Sequence, residues 1–300
     1  MQLLRRSGHS IVAAVRRTDA IAGVEVVQTP DIRTVNWTHN LQGVDTVIHL
    51  AARAHIVRER NSDPLAEFRA VNVHPTIKLF RACQAVGVER FIFVSSIGVN
   101  GTFTEGRAFS ETDIPRPVEP YAISKWEAEE SLRSLLVRHS TKLIVVRPSL
   151  IYGPSAKGNL LRLMRWIDAG WPLPFGAVSA RRSFLGLTAF CGLLQKCAEV
   201  PCEGVQLFLA GDDLPLSTRE LVSALAVAMK VKVRQPRIPV SWLSIMAHVI
   251  NRGAEFDRLT TSLEVDSSRA RSILGWTSPP SETDLHHMVN AYLRAKDDCR

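Results

Sequence analysis

Six short apolar runs rich in Val, Ile and Phe recur along the chain: "SIVAAV", "VEVVQ", "DTVIHLAA", "RFIFVSS", "KLIVVRP" and "VQLFLAG". They constrain the fold more than any other feature, because runs of this length and composition read as strands buried on both faces. Between the third and fourth, "DPLAEFRAVNVHPTIKLFRACQAVG" carries apolar residues at i, i+3, i+4 and closes on a glycine, which predicts one helix over residues 63–86. "SKWEAEESLRSLLVRH" predicts a second helix in the next gap. Strands alternating with helices predict an α/β fold with a doubly wound parallel sheet.

The opening "MQLLRRSGHSIVAAVRR" reads as the tail of a helix, a turn at Gly8 and a strand. After Pro148 the pattern loosens into Pro- and Gly-containing turns such as "YGPSAKGN" and "GWPLPFG" between short helices. This predicts a main domain over residues 1–155 and a smaller one over 156–300, with about 186–210 returning to the main sheet.

Composition narrows the function classes. With 46% hydrophobic and 22% charged residues the chain reads as an ordinary globular protein. Its five cysteines form no Cys-x-x-Cys pair, which argues against a disulfide framework or zinc ribbon and for a reducing cytoplasm. The net charge of +8 is spread along the chain, with no basic stripe interleaved with aromatics, so no nucleic-acid partner is expected. The longest apolar stretch, "IPVSWLSIMAHVI", is too short to span a bilayer and is broken by polar residues, so no membrane span is expected either.

Ligands of open parallel sheets bind outside the carboxyl ends of the strands, which selects "HLAARAH", "SSIGVNG" and "RPSLIYGP". Tyr121 and Lys125 stand four apart at the mouth of a helix and fall on one face. A neighbouring ammonium favours a phenolate, so Lys125 is expected to lower the pKa of Tyr121 and equip it to exchange a proton with a substrate hydroxyl. Ser96, at a strand end, is placed to hydrogen-bond a reacting oxygen. Ser95 reads as a backbone-satisfying residue.

"VIHLAA", "FVSSIGVNG", "PYAISKWEAE" and "VRPSLIYGP", in this order, resemble an extended short-chain dehydrogenase/reductase of the NAD-dependent epimerase/dehydratase family. "KGNLLRLM", "RRSFLGL" and "SLEVDSSRARSILGW" narrow the resemblance to bacterial UDP-sugar 4-epimerases and 4-ketoreductases of surface polysaccharide synthesis. The resemblance implies a Rossmann-like domain, a catalytic triad of Ser96, Tyr121 and Lys125, and a bond from Lys125 to the nicotinamide ribose. Such enzymes open with a strand and a Gly-x-x-Gly-x-x-Gly turn, and about 25 residues of that pattern do not precede Met1. The absent strand is central in the family, so a gap in the sheet and exposed apolar surface are expected.

For the cofactor, NAD(P), the family places an acidic residue at the end of the second strand, where this chain has Arg16 and Arg17. They suit a ribose 2′-phosphate and favour NADP, a solvated arginine pair being the other reading. Asp31 and Ile32 match the family pair beside the adenine, although Asp31 also suits a turn. Leu50, Ala51 and Ala52 match the lining under the cofactor, which Pro148 borders as well. Asn72 is implied to tie its helix to the strand edge.

For a UDP-sugar substrate, Asn159 and Arg182 match positions that contact the nucleotide diphosphate, and Arg258 is a further candidate. Asn159 also suits a helix cap, and the two arginines also suit exposed charges. Phe175 suits uracil stacking or the core. His49, His55, His286 and His287 lack metal-ligand spacing, so no metal is expected. The resemblance favours a 4-ketoreductase, with a 4-epimerase as an alternative on the same residues. A third reading is an inactive remnant or binding module that cannot hold a dinucleotide. A homodimer through residues 63–86 and 121–139 is also implied.

Overall fold

The structure is a computed structural model, which describes every residue except 17–20, 22, 55–62, 137–140, 155, 157, 202, 250–252, 279–281 and 299–300. In chain order the first half runs α1 (Gln2–Arg6), β1 (Val12–Val15), β2 (Glu25–Gln28), α2 (Trp37–Asn40), β3 (Thr46–His49), α3 (Pro64–Asn72), α4 (His74–Val86), β4 (Arg90–Val94), α5 (Pro120–Leu135) and β5 (Lys142–Pro148). The second half runs β6 (Leu150–Tyr152), α6 (Gly158–Asp168), β7 (Arg181–Arg182), β8 (Phe184–Gly186), α7 (Leu187–Glu199), β9 (Val205–Ala210) and β10 (Leu216–Ser217). It ends with α8 (Thr218–Ala228), α9 (Val240–Val249), α10 (Gly253–Thr260), α11 (Ser268–Leu274) and α12 (Glu282–Asp297).

All six apolar runs are strands. β3, β4, β5 and β9 form one parallel sheet in that order, so the run at 205–210 does join the main sheet beside β5. β1 and β2 form a separate parallel pair. Among the described residues no ladder joins β1 to β3, and Val12 and Leu50 are exposed.

The predicted helix over 63–86 is two helices. Asp63 caps α3 by accepting from the Ala66 N–H at 3.0 Å, and α3 stops at Asn72. Pro75 lies in the first turn of α4, where its missing N–H costs least, and that same absence prevents one continuous hydrogen-bond ladder. α4 then ends at Gly87, whose φ of 81° is left-handed.

Strand alternation sorts the core. Phe91, Phe93, Leu143 and Val145 pack under α4 and α5, while Ile92, Ile144, Val146 and Phe208 pack under α7 and α11. Each such side chain contributes about 1.5–3 kcal/mol when fully buried. A further cluster joins Leu160, Leu163 and Met164 of α6 to Leu221, Val222 and Leu225 of α8 and Met288 of α12. The carboxyl ends of β3, β4 and β5 therefore deliver Leu50, Ser95 and Ser149 to one edge of the sheet.

Candidate active site

α5 starts at the sheet's carboxyl edge with Glu119 as its N-cap and Pro120 in the first turn, so Tyr121 enters at the helix mouth and Lys125 follows one turn later. Tyr121 sets its ring edge-on to Phe68 of α3, centroids 6.0 Å apart. Lys125 is 2% exposed and holds Nζ 4.3 Å from the centre of the Phe93 ring, a cation–π contact. Burial pulls its pKa down to about 7, against the attraction of Glu129. Burial also pushes the Tyr121 phenol up to about 12.

This corrects the expectation that Lys125 would lower the phenol's pKa. Taken out of water, neither group favours its charged form, and desolvation governs Tyr121. In the ligand-free chain the phenol keeps its proton at neutrality. His49, buried at the end of β3, bonds Thr76 Oγ1 through Nε2 at 2.9 Å. Its pKa falls to about 3, first through burial and then through the Lys125 charge.

The loop after β4 lies against the first turn of α5. A Cβ on Gly98 would stand 3.3 Å from Ala122 Cβ and 3.4 Å from Ser96 Oγ. Ser96 is half-buried, and its Oγ accepts from the Gly98 N–H at 3.2 Å, which leaves the hydroxyl proton to offer to a substrate oxygen. Ser95 does more than satisfy a strand end: its hydroxyl donates to Glu129 Oε1 at 2.5 Å. Asn72 accepts from the Arg53 N–H at 2.7 Å and donates to Ser124 Oγ at 3.0 Å, tying the segment after β3 to α3 and α5.

The sequence reading passed over the buried network that holds these parts together. Arg147 donates to Glu129 through Nε and Nη2, and its Nη1 donates to Asn100 Oδ1 at 2.8 Å. Arg133 adds a second guanidinium on Glu129 at 2.9 Å. Two signals were present: Glu129 follows Tyr121 and Lys125 at helical spacing, and Arg147 interrupts an apolar strand, where a buried charge requires a partner.

Two arginines of the second half, Arg182 and Arg258, lie within electrostatic reach of each other. Arg182 on β7 donates to the Thr261 carbonyl at 3.0 Å, and its pKa drops to about 10, mainly through burial and then through the charge of Arg258. Arg258 on α10 bonds Glu119 at 2.5 Å, directly before the helix that carries Tyr121. Two guanidinium groups near each other form a site for an anion with several oxygens.

Several expected ligand residues are engaged elsewhere. Asp31 lies in a turn and takes a two-point bond from Arg33, which lowers its pKa to about 2. Ile32 is half-buried and packs against the core cluster beneath α4. Asn159 accepts from Arg162 Nη2 at 2.6 Å inside α6 and is not its cap. Phe175 is core. Arg16 is exposed at the end of β1, whereas Arg17 and His55 lie outside the described residues. Leu50 and Ala51 are exposed, Ala52 is half-buried, and Pro148 is buried opposite Ala210. No cluster able to hold a metal exists among the described residues.

For a dinucleotide, Tyr121, Lys125 and the open Leu50–Ala51 backbone fit the nicotinamide-ribose end. None of the chain's glycines stands in a Gly-x-x-Gly-x-x-Gly turn for the pyrophosphate.

Comparison with known proteins identifies the family. A UDP-glucose 4-epimerase of Vibrio cholerae is 35% identical over 260 residues, 86% of this chain and 79% of that protein. An N-acetyl-alpha-D-glucosaminyl-diphospho-ditrans,octacis-undecaprenol 4-epimerase of Escherichia coli O157:H7 is 27% identical over 218 residues, 72% of this chain and 64% of that protein. The solved structure of MoeE5 in complex with UDP-glucuronic acid and NAD aligns at a TM-score of 0.76 and 25% identity, covering 98% of this chain and 94% of that one. Residues 1–186 match the NAD dependent epimerase/dehydratase family, and the chain belongs to that family.

Proposed function

We propose that the protein is a 4-epimerase of a UDP-sugar and works with NAD. The observation that carries this reading is the bond of Arg258 to Glu119 at the mouth of α5, with Arg182 within electrostatic reach of Arg258; the two would seat a diphosphate on the side of the helix that carries Tyr121. The epimerase relatives move the preference away from the 4-ketoreductase, and the NAD-bound neighbour favours NAD over NADP.

In this reading Arg182 and Arg258 bind the diphosphate and fix the sugar. Ser96 donates to the 4-oxygen while Tyr121, once its own proton has passed to water on formation of the ternary complex, takes the 4-hydroxyl proton and returns it after the keto sugar has turned over. Lys125 and Tyr121 would hold the nicotinamide ribose, with Leu50, Ala51, Ala52 and Pro148 lining that end. When bound, the nicotinamide supplies a reversible hydride acceptor. Asn159 would meet the diphosphate through its Nδ2 donors while Arg162 holds its Oδ1. Residues 1–155 hold the dinucleotide and 156–300 the sugar nucleotide.

The place of action is the cytoplasm. Pairing of two copies through residues 63–86 and 121–139 belongs to the same proposal, supported by an open groove of about 510 Å³ on that face, lined by Ile77 and Trp126 among others. A monomer in sedimentation at micromolar concentration would overturn the pairing alone.

The test incubates the full chain with NAD and either UDP-glucose or UDP-galactose, or their N-acetyl forms, and follows the sugar by NMR. Approach to one C4-epimer mixture from both sides, with no net change in nicotinamide absorbance, is expected. Stoichiometric oxidation of reduced nicotinamide by a UDP-4-keto sugar would instead establish the reductase. A folded chain that binds no dinucleotide and turns over neither substrate would establish a binding module.

A further inference from the structure

α9 turns its apolar face outward. Trp242, Ile245, Met246 and Val249 are 69%, 66%, 63% and 80% exposed. Their i, i+3, i+4, i+7 spacing puts them on one stripe, while Leu243 is buried and holds the helix to the body. Stripes of this kind normally face a core, and this one faces away from it.

The segment leading into α9 is cationic. From Lys230 to Arg234 the exposed residues Lys230, Lys232 and Arg234 alternate with Val231 and Val233, which pack on the core cluster of α6 and α8. Arg237 is exposed as well. Residues 221–254 contain no Asp or Glu at all. On α10, which packs against α9, Asp257 is exposed. The Leu173 N–H donates to the Arg234 carbonyl at 2.9 Å, which brings in the neighbouring Trp171, itself 57% exposed.

We propose that α9, with Lys230, Lys232, Arg234 and Arg237, is a peripheral docking surface for an anionic phospholipid bilayer. No helix among the described residues is long and apolar enough to cross a membrane, so α9 would lie in the interface plane, with the stripe below the headgroups and the cations among them. Tryptophan is the side chain best suited to that depth, and Trp242 is exposed on this stripe. Nucleic acid would satisfy the cations and leave the stripe in water. A second copy seated here would cover the stripe and bring two acid-free cationic segments together. A bilayer offers an apolar layer under negative charge and matches both features. This inference is independent of the sugar chemistry.

The test sediments the full chain with phosphatidylglycerol/phosphatidylcholine vesicles and with phosphatidylcholine vesicles alone. Binding to the anionic vesicles that weakens with salt is expected. Replacing Lys230, Lys232 and Arg234 by Gln should weaken it on the order of a hundredfold, about fivefold for each cation. The stripe variant Trp242→Ser/Ile245→Ser/Met246→Ser should lose vesicle binding while keeping the parent's circular dichroism, since these side chains are exposed. Trp242→Ser alone, the smallest of these changes, should lower it in the same direction. Failure of the wild-type chain to bind anionic vesicles, or binding by the triple stripe variant equal to the parent's, would overturn the proposal. So would a parent dimer that becomes a monomer in the stripe variant without any vesicle binding, because the face would then join copies of the chain.

Discussion

Arg147 of β5 and Glu129 of α5 meet in a two-point ion pair, Nε to Oε1 at 2.9 Å and Nη2 to Oε2 at 2.7 Å, with side chains only 1% and 0% exposed. Both charges have left water, so the pair persists because further hydrogen bonds support each partner. Ser95 and Arg133 complete Glu129, and Asn100 completes Arg147. The network locks β4, β5 and the loop carrying Ser96 to the helix carrying Tyr121 and Lys125.

Removing one member should leave the other charge buried and unpaired. Glu129→Ala or Arg147→Ala is expected to cost about 3–5 kcal/mol in urea unfolding. The joint change Glu129→Leu/Arg147→Met should cost less than the sum of the single changes, since no orphan charge remains. A loss below about 1 kcal/mol for Glu129→Ala would show that the pair does not hold α5 in place.

Tyr121→Phe removes one oxygen and keeps the edge-on contact with Phe68. The expected result is a drop in kcat of about 10²–10⁴-fold with unchanged near-ultraviolet circular dichroism. Retention of most of the activity would remove Tyr121 from the proton path.

Arg182→Ala and Arg258→Ala should each weaken UDP binding about tenfold to hundredfold in calorimetry. The double variant should lose less than the product of the two, because the groups interact. UDP should raise the thermal midpoint of the parent chain and not that of the double variant. Unchanged UDP affinity in both single variants would place the diphosphate elsewhere.

His49 and Lys125 both have pKa values depressed by burial, to about 3 and about 7 from 6.5 and 10.5. Where the unfolded chain is protonated and the folded chain is not, stability falls as pH falls. Lys125 therefore lowers stability progressively from about pH 10 to 7, and His49 from about pH 6.5 to 3. Lys125→Met should flatten the upper window and raise stability at pH 7 by a few kcal/mol, read from urea midpoints. An unchanged slope in that variant would mean that Lys125 titrates near its ordinary value.

The sequence by itself determined the six long strands, the helical stretches between them within 63–86 and 121–139 and the strand ends where ligands gather, because periodicity and turn residues act over a few neighbours. It placed Tyr121 and Lys125 on one helix face and Ser96 at a strand end for the same reason. Even locally it misjudged residues 63–86, where apolar spacing hid the effect of Pro75. What it did not determine depends on segments far apart in the chain meeting out of water. Burial decided that Tyr121 would hold its proton and that Lys125 would lose its own more readily. Only tertiary packing brought Glu129 to Arg147 and Arg182 within reach of Arg258, and left one face of α9 without a core to cover it. Charge, dielectric and exposure are properties of the assembled surroundings, and no short stretch of sequence contains them.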